Sequence, residues 1–343
     1  MMTRLLNRML LVLALHSAAA VAGSVVRLDH ELDSLVADTA TLEILYRGDS
    51  GDSFEGPVWI RHPGPGYLLF TNVPGNVIDK WTPDGRVSAF ITDIFTGDPA
   101  TALHAGSRVM LGANGATLDR EGRLIYTSYS AGQIVRLEKN GTRTVLASRY
   151  DGRNINAPND VVVRSDGLIY FTDSRMSTPE TSGPDCDKFW LLCGHASGVP
   201  HKGVYFVKDG VVHLFSKDVH HPNGLAFSAN EKILYVSNTI QKNVLRFDMQ
   251  PDGTGTGPSV FSDMSADPAE GAPDGIKLDI RGNVYCTGPG GIWILSSSGR
   301  HLGTILTAER STNFTFGGED GRALFIESAT TLARIQLKVR GLR

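Results

Sequence analysis

Six oxygen-bearing side chains recur along the chain in one local setting: Glu55 in FEGPVWI, Asn114 in GANGATLD, Asn159 in APNDVVVR, Asn223 in HPNGLAFS, Asp274 in APDGIKLD and Asn313 in STNFTFGG. Most follow a small residue or proline, most precede a glycine or another turn-former, and each opens an apolar run. Two carboxylates and four carboxamides make an all-oxygen donor set, which suits a hard divalent cation. Calcium is the favoured ion, because it accepts about six to eight oxygens in irregular geometry while magnesium keeps more water and zinc prefers nitrogen or sulfur. Zinc, magnesium and manganese stay as alternatives. Taken singly, Asn-Gly and Asp-Gly pairs are ordinary turn residues. Recurrence argues against that reading, since a turn has no need of Glu55 at the equivalent place.

The segments that would position these side chains repeat with them. After each anchor the chain reads strand, tight turn, strand, longer loop, strand, turn, strand, as in VVVRSDGLIYFTDS followed by GVYFVKDGVVHLF. Asp84-Gly85, Asn140-Gly141, Asp166-Gly167 and Asp209-Gly210 are hairpin dipeptides that tolerate positive φ. Helical periodicity is essentially absent beyond the first residues. A unit of roughly 40 to 60 residues built from short strands predicts a propeller blade. The fold class is therefore all-β, a six-bladed β-propeller; a two-sheet sandwich leaves the shared polar position without a reason. Each blade's first strand lines the central axis, so the six anchors should ring one mouth of the channel. LEILYRG, from Leu42 to Gly48, has no nearby partner and is expected to close the ring as the outer strand of the last blade, beside ARIQLKV. The loop from Ser174 to Lys202, with Phe189 and Trp190, is long enough to be a lid over the mouth.

The 343 residues carry a formal charge of -3, with no basic patch for nucleic acid. MMTRLLNRMLLVLALHSAAAVAGS pairs Arg4 and Arg8 with a short apolar run and an Ala20-Val21-Ala22 cleavage signal. It reads as a secretory signal over residues 1–22, followed by a lead-in over 23–40 and the propeller over 41–343. An uncleaved anchor is the alternative. The expected location is secreted or periplasmic, with no membrane contact after cleavage. Cys186 and Cys193 could close a small loop in such a compartment, whereas Cys286, inside NVYCTG, reads as a buried small apolar residue.

FEGPVW, APNDVVV, YFTD, HPNGLAFS, LYVSNT, PDGIKLD and GNVYCTGPGGIWI together resemble the gluconolactonase and regucalcin (senescence marker protein) family of metal-dependent lactonases, over about Thr41 to Leu337. The resemblance implies that Glu55, Asn223 and Asp274 hold the metal, that Asn159 binds it or reaches it through water or substrate, and that Asp274 is the general base. It also implies that Asp160 supports the metal from behind. Asn114, Asn159, Asp173, Arg175 and Asn313 are then the candidates for contact with substrate, a small, sugar-like lactone. Arg175 is either a solvated arginine or a partner for a substrate carboxylate, and Asp173 either reaches the pocket or makes a structural hydrogen bond. His104, His195, His201, His220 and His221 fall near the same loops, and His221, beside Asn223, is the best placed to support the site. Ser128-Tyr129 stands where the family usually has Glu-His, Asp173-Ser174-Arg175-Met176 where it has Asp-Pro-Pro-Tyr, and Phe314 where a cysteine is common. These departures flank the metal positions and bear on which lactone is taken. A phosphotriester or fluorophosphate hydrolase on the same ring, and a non-catalytic ligand-binding propeller, are the competing readings.

Overall fold

A computed structural model describes residues 20–21, 25–61, 63–105, 108–176 and 197–342. Residues 1–19 and 22 of the expected signal and most of the expected lid, including Cys186, Phe189, Trp190, Cys193 and His195, lie outside these residues.

The chain folds as the expected six-bladed propeller. The inner strands of the blades are Phe54–Ile60, Ala113–Leu118, Pro158–Val163, Pro222–Phe227, Ile276–Leu278 and Ser311–Gly317. Each is the first strand of an antiparallel sheet whose next three strands follow in chain order for blades one to five. In blade six the fourth strand is Leu42–Arg47, paired with Thr331–Gln336, which is the closure anticipated from LEILYRG. The lead-in also packs on the ring. Val25–Arg27 adds a fifth strand to blade five, and Leu32, Leu35 and Val36 are buried between blades five and six.

The blade sequences explain their own burial. Second strands such as Leu124–Ser128, Ile169–Asp173 and Val284–Gly288 are buried along their whole length. Both faces are covered by adjacent blades, so apolar residues run on rather than alternate. Outer strands such as Arg143–Ala147 show one face to water and alternate. The core is thus a set of wedges between blades. Phe171 stacks on Tyr205 at 5.4 Å against Ile125 and Ile134 of blade two, and Trp59 stacks on Phe325 at 5.0 Å, joining blade one to blade six. Among the hairpins, Asp209 and Gly210 both take positive φ, 51° and 75°, as a two-residue turn between antiparallel strands requires.

Candidate active site

Five of the six anchor positions coincide with irregularities in strand pairing, Asp274 being the exception. The register of inner against second strand shifts between Glu55 and Val58, Ala113 and Ala116, Pro158 and Val161, Pro222 and Leu225, and Ser311 and Asn313. A bulge inserts a residue and re-aims its side chain, and here it does so at the head of a strand facing the axis. The residue after the anchor must then clear the next blade. A Cβ on Gly224 would lie 2.1 Å from the carbonyl oxygen of Asp274, and the Gly224 amide donates to that oxygen at 3.2 Å. Glycine at this position is therefore a packing requirement more than a turn preference.

A second periodic feature ties the anchors to one another. Thr71 Oγ1 donates to the Asn114 carbonyl at 2.9 Å, Thr127 Oγ1 to that of Asn159 at 3.0 Å, and Thr172 Oγ1 to that of Asn223 at 2.7 Å. Each hydroxyl belongs to the second strand of one blade and holds the anchor of the next. Thr287 serves its own blade, accepting from the Asp274 amide at 2.7 Å. Ser237 occupies the equivalent place in blade four, against Cys286. In blade six the position is Glu327, opposite Asn313.

Glu55, Asn114, Asn223, Asp274 and Asn313 are all buried, and Asn159 is half-buried. Asn313 Nδ2 donates to Glu55 Oε2 at 3.2 Å, and Arg310 Nη2 reaches Asp274 Oδ2 at 3.3 Å. Burial, and then the charge of Asp274, push the Glu55 carboxyl well above its ordinary range. Burial pushes Asp274 up to about 7 against the opposing pull of Arg310, with Asp160 adding to the rise. Asp160 is raised by burial and held back by Lys277, whose Nζ lies 4.0 Å from its Oδ2. Glu327 is raised by burial and by Glu55. Four carboxyl groups thus share the axis with two cations, Lys277 and Arg310.

The residues fit a divalent cation. The buried oxygen of Asn223 has no hydrogen-bond partner, a costly state that a cation would relieve; buried oxygens of Asn114 and Asp160 are likewise without hydrogen bonds. The donors are all oxygens, and the crowded carboxyls lack positive charge. Among the described residues no group of three or more His, Cys, Asp or Glu side chains has metal-binding spacing; the anchors escape that pattern because four of the six are carboxamides.

The remaining candidates divide clearly. Both oxygens of Asp173 are taken by backbone amides, of Asn156 at 2.8 Å and of Ala157 at 2.8 Å, so its hydrogen bonds are structural. Arg175 is buried, its Nε donating to Tyr129 Oη at 3.0 Å and its Nη2 to the His104 carbonyl at 2.7 Å. Asp160 stands behind the ring, one oxygen accepting from the Val161 amide. His221 is buried next to Asn223, while His104 and His220 are exposed and His201 pairs with Tyr205. Cys286 is buried and its thiol is raised to about 12 by burial, which suits a packing role. Sequence reasoning missed Glu327, Lys277, Arg310 and Lys202. Glu327 had a signal: it breaks the run Thr71, Thr127, Thr172, Ser237, Thr287 at one offset in the second strands. The others are single cations with no recurrence to mark them.

A family model described as SMP-30/Gluconolactonase/LRE-like region matches residues 54–330. The gluconolactonase of Zymomonas mobilis is 28% identical over 329 residues, which is 93% of this chain and 87% of that protein. A gluconolactonase from Xanthomonas campestris superposes with a TM-score of 0.75 at 27% identity, covering 94% of this chain and 99% of the other. Regucalcin of Agrobacterium tumefaciens, a calcium-binding protein, shares the fold at a TM-score of 0.64 and 16% identity, over 87% of this chain and 94% of the other.

Proposed function

The chain belongs to the SMP-30/gluconolactonase/LRE-like family, and from that premise we propose that it is a hydrolase that opens a small, sugar-like lactone with a divalent cation, calcium, held at the channel mouth. The single observation that carries the reading is the meeting of Glu55 and Asp274, buried and electrostatically joined, among carboxamides whose oxygens lack partners. Glu55, Asn223 and Asp274 would hold the ion, with Asn159 completing the set. When bound, the ion supplies Lewis acidity, polarising the lactone carbonyl and easing ionisation of water.

The chain's own residues do the rest. Asp274, as the ionised carboxylate, takes the proton from water as the water oxygen adds to the carbonyl carbon. It returns that proton to the ring oxygen as the acyl C–O bond breaks, leaving a hydroxy acid. Arg310, at 3.3 Å, fixes the carboxylate and limits the rise in its pKa. The Thr172 latch to the Asn223 backbone holds that carboxamide in place. Asn114, Asn159 and Asn313 offer polar contacts to the hydroxyl groups of a sugar-like ring. Export to the periplasm or the medium belongs to the same proposal and rests on Arg4, Arg8, the apolar run and Ala20-Val21-Ala22.

Protein stripped with chelator should lose at least about 100-fold in lactone turnover and regain it with calcium, in line with the usual worth of general acid–base and Lewis-acid help. Turnover indifferent to chelator would remove the cation from the mechanism.

A further inference from the structure

We propose that the mouth carries a built anion subsite beside Asn223, formed by Lys202 and His221 and flanked by Arg175 and Arg310, and that it selects lactones bearing a second, negatively charged group, a carboxylate or a phosphate. The proposal rests on the lactone-hydrolase reading and names its substrate class.

Lys202 is the first observation. Its side chain is only 6% exposed, yet its Nζ meets two neutral acceptors, the His220 carbonyl at 3.1 Å and His221 Nδ1 at 3.2 Å. A buried ammonium ordinarily has a carboxylate partner. Among the described residues Lys202 has none, and its third N–H has no acceptor.

His221 is the second. An ammonium cannot accept, so the Lys202 contact fixes Nδ1 as the acceptor and places the ring hydrogen on Nε2. That Nε2–H has no acceptor among the described residues, while the residue's backbone is pinned by Asn238 Oδ1 at 2.9 Å. The ring is a fixed, neutral donor two residues from Asn223. Its Nε2–H and the third N–H of Lys202 are therefore two donors held at one place beside the anchor.

Arg175 is the third. Tyr129 holds its Nε at 3.0 Å and lies under the guanidinium at 5.3 Å, so the charge is aimed rather than solvated. The chemistry derived for the scissile ester uses none of Lys202, His221 or Arg175. A neutral polyol needs hydrogen bonds but not a buried ammonium that lacks a carboxylate partner, whereas an anion on the same ring uses both.

The test compares δ-lactones matched in ring and stereochemistry that end in a hydroxymethyl, a carboxylate or a phosphate ester. The wild type is expected to favour one anionic lactone over the neutral one at least tenfold in kcat/KM, and the preferred anion names the ligand class. Lys202→Met should lower the anionic-to-neutral ratio about tenfold, through KM, and Lys202→Arg should restore most of it. An anionic-to-neutral ratio near one in the wild type, or a ratio unmoved in folded Lys202→Met, overturns the subsite. Binding is read independently of turnover: an aldarate dianion, but not the matching neutral alditol, should raise the melting temperature of the wild type and not of Lys202→Met. If no lactone is hydrolysed while that shift appears, the hydrolase reading fails and the subsite stands. If lactones are hydrolysed and the shift is absent from the wild type, the reverse holds.

Discussion

Asp274 and Glu55 carry a cost that the rest of the chain has to hold. In an unfolded chain both would titrate in the ordinary carboxylate range, near about 4. In the folded, cation-free protein Asp274 is raised to about 7 and Glu55 well above its ordinary value, by burial first. Between those limits the folded state binds more protons than the unfolded one, so stability must fall as pH rises. The contribution is fully present below about pH 4 and is lost as pH passes through the folded value of Asp274. Chelated protein is therefore expected to melt several degrees lower at about pH 8 than at about pH 5, and saturating calcium should flatten that slope by binding the ionised form. Thermal melts across this range, with and without chelator, read it directly; a melting temperature that climbs with pH in the chelated protein contradicts the assignment. The anchors were legible in the sequence because each copy corroborates the others. Glu327 showed only as a break in the Thr and Ser run, and Lys277 not at all, because it acts through the company it keeps in space and a single residue inside IKL reads as surface alternation.

At the scale of the strand, the ring depends on the bulge found at every anchor but Asp274 and on the hydroxyls that latch the carbonyls of Asn114, Asn159 and Asn223. The two can be separated by comparing latches. Thr172→Val removes the donor to the Asn223 carbonyl, and Thr71→Val removes the donor to that of Asn114. Each leaves a buried carbonyl without its partner, a loss of about 1–3 kcal/mol, which in a domain of this size lowers the melting temperature by a few degrees. Only Thr172→Val is expected to weaken calcium affinity, by about tenfold, because Asn223 and not Asn114 is assigned to the ion; isothermal titration with calcium separates them. Equal effects on affinity would mean that the ring responds as one rigid body and that the latch has no local role. Strand-turn-strand order was readable from the Asp-Gly and Asn-Gly hairpins and the apolar runs. The latches were present as Thr or Ser at a fixed offset, in YLLFTN, LIYTS, IYFTD, ILYVSN and VYCTG. In sequence, though, a hydroxyl at the end of a strand looks the same whether it faces water or the next blade. The short hairpin of Leu103–Ala105 with Arg108–Met110, which brings the His104 carbonyl to Arg175, left no periodic trace at all.

For the molecule as a whole the decisive step is closure, since blade one can meet blade six only if the first and last parts of the propeller share a sheet. Leu42–Arg47 lies beside Thr331–Gln336, Glu43 pairs with Arg334 at 2.5 Å, and Tyr46 packs on Phe54 of blade one at 5.8 Å. Thr312 Oγ1 donates across the same seam to the Phe54 carbonyl at 2.7 Å, next to Glu55. The proposed metal positions Glu55 and Asp274 meet this seam from either side, Asn313 donating to Glu55 at 3.2 Å and the Gly275 amide, next to Asp274, donating to the Thr312 carbonyl at 2.9 Å. A variant beginning at Gly48 loses the seam strand, uncovers the edge of Thr331–Gln336 and forfeits the burial of Leu42, about 1.5–3 kcal/mol for that side chain alone. A variant beginning at Leu28 loses the two outermost strands, Ala20–Val21 of blade six and Val25–Arg27 of blade five, each of which lies outside a four-stranded sheet already complete. Size-exclusion chromatography and thermal melts are expected to show the Gly48 variant aggregating and without calcium-dependent stabilisation, and the Leu28 variant monodisperse with that stabilisation intact. If the Gly48 variant stayed monodisperse and still gained stability from calcium, the ring would be held by packing such as Trp59 on Phe325 alone, and the outer strand would be dispensable to the site.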